Sequence, residues 1–141
     1  MNQPDPYNLR RFVDAQANVY KQVLRELRAG RKTSHWMWFI FPQIAGRGYS
    51  PMAQTYAISG RAEAESYLQH PVLGPRLTEC TRLVNQQVGR AIEEILGDID
   101  GLKFRSSMTL FAKVAADNSI FVEAIQKYYG GNFDELTLAK L

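Results

Sequence analysis

Helical periodicity through almost the whole chain predicts an all-α protein, a compact single-domain bundle of about seven or eight short-to-medium helices. Two further observations point the same way. Glycine and proline fall between the periodic segments, as punctuation should, and no stretch offers the Val/Ile/Thr-rich alternation of a sheet. The 141 residues are 45% hydrophobic and 22% charged, an ordinary balance for one soluble domain with a sizeable core. The expected organisation is a flexible N-terminal arm over residues 1–8, which holds Pro4 and Pro6, and one helical domain over residues 9–141.

The first helix is expected over residues 9–29. Phe12, Gln16, Val19, Val23 and Leu27 share a face, and Gly30 provides the stop. Lys21, Arg25, Arg28 and Lys32 follow at helical spacing on the opposite face. Residues 34–41 are an aromatic segment that Ser34 can cap and Pro42 must end, because proline pushes Phe41 out of the α region. Their alternation also fits a strand. A glycine-containing loop over 43–49 follows, then Ser50-Pro51, which pairs an oxygen cap with proline at the first helical position, and a helix over 52–58. Further helices are expected over 61–69, along the stripe Leu73, Leu77, Cys80, Val84, Val88, over 91–96 closed by Gly97, and over 101–116. The last long helix carries Phe121, Ile125 and Tyr128 and stops at Gly130-Gly131. Residues 134–141 add a final turn or two.

Bulk properties exclude several roles. A net charge of +3 is a small electrostatic footprint, so nucleic acid is not expected as a partner. A single cysteine, Cys80, rules out an internal disulfide and suits a reducing compartment, most simply the cytoplasm. The start of the chain lacks the pattern of a signal peptide. The longest apolar run, residues 36–41, is far short of the roughly 20 residues that a membrane span needs, so no membrane association is expected. His35, His70 and Cys80 show no ligand spacing, so neither a metal nor a cofactor is expected. Cys80 lies inside an apolar stripe, where a cysteine packs; His70, before Pro71, closes a turn.

The densest chemistry lies in Ser34-His35-Trp36-Met37-Trp38-Phe39-Ile40-Phe41-Pro42-Gln43, which holds both tryptophans. On a helix Trp36 and Trp38 differ by about 200°, so one should be buried while the other meets a second helix, solvent or a ligand. This run, with Gly30-Arg31-Lys32 before it, resembles the signature of a bacterial family of unknown function, domain-of-unknown-function family 1810, whose members often carry the label "calpastatin". Ser50-Pro51-Met52-Ala53, the stretches 64–68 and 70–77, and the run from Leu102 to Phe111 match the same pattern. The resemblance implies an all-helical fold, and so a helix for the aromatic run, but no activity. The label itself is physically implausible, since that inhibitor works through long disordered repeats and this chain has a core and no repeats. A fainter similarity, around Glu63 and the 103–111 helix, is to proteins that process ADP-ribose or riboflavin-pathway intermediates.

The preferred reading is a small-molecule binder. An anionic, nucleotide-like ligand would sit where the aromatic helix meets the glycine loop, near Lys32, His35, Trp36, Trp38 and Gln43. Gly46 and Gly48 can turn backbone N–H groups inward, Arg47 adds charge, and the next helix offers its positive end. The plain alternative is a surface loop. Lys103 and Ser107, one turn apart, can face the same anion, or Lys103 can lie along apolar surface with its head in solvent. A second reading is a hydrolase or N-glycosidase acting on a nucleotide-derived substrate, with Glu63, His35 or Lys103 as its polar groups. A third is an adaptor that uses the Lys21/Arg25/Arg28/Lys32 face.

Overall fold

The computed structural model describes residues 4–141 and is all-helical. Residues 1–3 of the expected arm lie outside the described residues. Asp5 accepts hydrogen bonds from the Leu9 and Arg10 backbone N–H groups at 2.8 and 3.1 Å, which satisfies two donors at the start of the first helix. No helix among the described residues is long and apolar enough to cross a membrane.

The helix count is ten among the described residues, rather than seven or eight, because segments read as continuous are interrupted and several are single turns. The expected first helix is two, α1 (Arg10–Ala17) and α2 (Tyr20–Ala29). Between them stand Asn18 and β-branched Val19, both weak helix formers. The shared face survives the break: Phe12, Gln16, Val23 and Leu27 are buried. Gly30 ends α2 in the left-handed conformation, φ 72°, with its N–H bonded to the Leu27 carbonyl.

The aromatic run is helical for only one turn, α3 (Met37–Ile40). Ser34 does not cap it, and Trp36 precedes it with a non-helical φ of −142°. Phe41 leaves the α region ahead of Pro42, with φ −124° and ψ 73°, as the proline requires. A short α4 (Pro51–Thr55) is capped by the Ser50 hydroxyl, which accepts from the Ala53 N–H at 3.1 Å. Ile58 falls outside this helix; it is buried and forms an isolated parallel bridge with Ile44.

The remaining helices are α5 (Arg61–Gln69), α6 (Leu73–Asn85), α7 (Ile92–Leu96), α8 (Asp98–Val114), α9 (Ser119–Tyr129) and α10 (Glu135–Leu138). The stripe Leu73, Leu77, Cys80 and Val84 is buried, but α6 stops before Val88, which is 88% exposed. His70 closes the α5–α6 elbow, its Nδ1 accepting from the Val72 and Leu73 N–H groups. Burial pushes the Cys80 thiol up to about 12, so this cysteine is packing rather than a nucleophile.

Helix α8 packs against α5, α7, α9 and α10, while α6 packs against α2, α3, α5 and α9. Edge-on and tilted ring contacts tie the helices together. Phe12 meets Tyr67 edge-on at 5.1 Å, Tyr67 meets Phe111 at 5.5 Å, and Phe111 meets Phe121 at 5.9 Å. Buried Gln16 holds α3 in place by donating to the Phe39 carbonyl at 2.7 Å.

Candidate functional site

Trp36 and Trp38 do diverge, and their surroundings differ in kind. Trp36 is buried, and its indole N–H donates to Glu26 at 3.0 Å. The same carboxylate accepts from the Thr33 N–H at 2.6 Å, the Ser34 N–H at 2.9 Å, the Ser34 hydroxyl at 2.5 Å and the Gln22 amide at 2.8 Å. Burial alone would raise the Glu26 carboxyl, but these donors, led by the Ser34 hydroxyl, outweigh it and bring it down to about 2. Ser34 is therefore drawn to α2 instead of capping α3. Glu26 fastens the connection over residues 31–36 and thereby aims Lys32.

Trp38 is half-buried, and its indole N–H is buried with no hydrogen-bond partner. Lys103 Nζ stands 5.4 Å from the centre of its ring, just as Lys32 Nζ stands 5.1 Å from that of Trp36. Asp100, in the first turn of α8, joins the two lysines: Lys32 at 2.8 Å and Lys103 at 3.7 Å. The three side chains are 9%, 24% and 17% exposed in the order Lys32, Lys103, Asp100. Two ammonium groups share one carboxylate, so the cluster holds a surplus positive charge. Ser107 follows Lys103 by one turn; it is buried, and its hydroxyl has no partner.

Four residues of the sequence reading thus gather around α8 and the aromatic turn, Lys32, Trp36, Trp38 and Lys103, with Ser107 one turn further along α8. Lys32 also borders a cavity of about 450 Å³ with Arg31, Arg90 and Glu93. His35 is exposed. The glycine loop faces the C-terminal segment instead. Arg47 pairs with Asp134 at 2.9 Å, Lys140 lies over Gly46, and Gly48 closes on Ala53 and on the side-chain oxygen of Gln43. Burial would raise the Asp134 carboxyl, yet the Thr137 hydroxyl and Arg47 hold it below the usual carboxylate range. A network runs on from Thr137 to the Ser106 hydroxyl of α8 at 2.9 Å.

The basic face loses one member. Lys21, Arg25 and Arg28 are exposed on α2, but Lys32 lies beyond the Gly30 turn and is folded onto Asp100, so the four do not form one stripe. Glu63 is committed to structure, bonded to Arg11 at 2.8 Å and to the Ser59 N–H at 2.9 Å. Sequence reasoning missed Glu26 and Asp100. For Glu26 a signal existed: it follows buried Val23 by three positions, on the edge of the apolar face, and precedes a Thr-Ser-His-Trp run rich in donors. Asp100 is 68 positions from Lys32 and has no local signature.

The fold and this cluster define a class: a small all-helical domain in which two lysines bridged by one aspartate stand over two tryptophans. The chain belongs to the family described as Protein of unknown function (DUF1810), whose model matches residues 6–141. It is 60% identical to the conserved hypothetical protein Rv1873 from Mycobacterium tuberculosis, solved by crystallography at 1.38 Å. That likeness covers 97% of this chain and 98% of the other, with a TM-score of 0.96. No curated protein matches the chain.

Proposed function

We propose that this protein binds a small anionic molecule on the Lys32–Asp100–Lys103 face, with the Trp38 ring as its wall and buried Trp36 fixed behind it. One observation carries the reading: the Trp38 indole N–H is buried and unpartnered under Lys103, and one turn further along α8 the Ser107 hydroxyl is buried and unpartnered too. Nearly all buried polar groups in native proteins are hydrogen-bonded, and each one left unmade costs about 1–3 kcal/mol. An indole N–H can only donate, and so can an ammonium. The complement to these groups is an oxygen-rich acceptor, such as a phosphoryl or carboxylate group, and the surplus positive charge favours it further. The cavity beside Lys32 offers room for the rest of the ligand. This reading moves the ligand away from the Gly46–Gly48 loop, whose Arg47 already holds Asp134.

Intrinsic fluorescence reads this site directly, since Trp38 lies under Lys103 and the one other tryptophan of the chain, Trp36, lies under Lys32. Titration with inorganic phosphate, pyrophosphate and a nucleoside monophosphate should give a saturable change with at least one of them. Lys103→Met should weaken that binding about tenfold, equivalent to ~1.4 kcal/mol. No saturable change with any of the three, or unchanged affinity in Lys103→Met, would refute the proposal.

A further inference from the structure

A second cavity, about 680 Å³, shares no residue with the tryptophan cluster. It opens between α5, α6 and the turn that joins α8 to α9, and its size is that of a pocket for an organic ligand. Its apolar floor includes Leu68, Ile120 and the buried ring of Phe121. Its rim carries Glu65, Arg82 and Asp117, all exposed.

Arg82 and Glu65 border one cavity, yet among the described residues neither makes an ion pair or a side-chain hydrogen bond. Asp117 accepts from the Ser119 N–H at 3.1 Å and from its hydroxyl, which holds the carboxyl below its ordinary range. One guanidinium and two carboxylates therefore border the same partly apolar cavity. A plain anion meets two like charges there, and a plain cation meets Arg82. A ligand with both charges, one at each end of an apolar body, satisfies the whole rim.

We infer that this cavity binds a short apolar peptide of two or three residues with both termini free. Its carboxylate faces Arg82, its ammonium faces Glu65 and Asp117, and its side chains cover the floor. A single amino acid would leave most of 680 Å³ unfilled, and a sugar would leave the apolar floor without a partner.

The dipeptide Leu-Phe, titrated into the ¹⁵N-labelled protein, should shift amide resonances of residues 65–69 and 114–121 in a saturable way. N-acetylation or C-amidation of the dipeptide should each weaken binding about tenfold. Arg82→Ala should weaken the free dipeptide to a similar degree and leave the amidated one unchanged. Glu65→Gln should do the converse with the acetylated form. Both positions are exposed, so the variants keep the fold. Equal binding of the capped and free dipeptides, shifts confined to other residues, or no shifts up to millimolar dipeptide would each overturn the inference.

Discussion

The two tryptophans, two positions apart, occupy opposite regimes. Around Trp36 the donors are answered: one carboxylate, Glu26, collects five donors from four residues, one of them its neighbour Gln22 on α2. At Trp38 the donor faces nothing: its indole N–H is buried without a partner, as is the Ser107 hydroxyl of α8. The first arrangement stabilises the fold, because charge-assisted hydrogen bonds in a buried setting are the strong ones. The second costs stability, and such costs concentrate where a protein binds something. The contrast separates scaffold from site within a single motif.

The sharpest way to break the contrast is at Glu26. Glu26→Gln keeps the shape but removes the charge and points an amide donor at donors. It should lower stability by about 3 kcal/mol, read by chemical denaturation and as a melting temperature lower by about 10 °C. The pH dependence follows from the sign of the shift. The folded carboxyl lies at about 2, below its ordinary 4.5. Its contribution is therefore complete above 4.5 and is lost as pH falls towards 2. The gap between wild type and Glu26→Gln should shrink over that window and stay constant above it.

Next in size is the difference between the two indoles. Trp36→Phe withdraws a donor from Glu26 and should cost about 2 kcal/mol, whereas Trp38→Phe removes an N–H that bonds nothing and should cost less than about 1 kcal/mol. Equal losses in urea titration would erase the distinction. Smallest of all is Ser107→Ala, expected within about 0.5 kcal/mol of wild type or slightly more stable, since it deletes an unsatisfied hydroxyl. A loss above about 2 kcal/mol would mean that the hydroxyl has a partner in the folded protein.

Much of the fold was readable from local pattern. The α5 boundaries, the Ser50-Pro51 start, the Gly30 stop and the buried stripe of α6 all follow from periodicity and capping, which act over a few residues. The failures share a cause. The aromatic run shrank to one turn because Glu26 draws the Thr33, Ser34 and Trp36 donors back to α2, a competition between elements that no helical pattern displays. Likewise Lys32 looked like one more cation on a basic face until the Gly30 turn and Asp100 redirected it. At the candidate site, the Lys103–Ser107 spacing was visible because it is local to α8. The aspartate that joins the lysines was not, because the pairing of Lys32 with Asp100 exists only once the chain is folded.

The burial of Cys80 has a practical side. With the sole thiol of the chain sealed in the core and held mostly protonated, the native protein should be inert to maleimides and similar reagents. A single cysteine introduced at exposed Val88 would then take a dye or spin label alone. The molecule can thus be tagged at one chosen point for distance measurements without first removing a native residue.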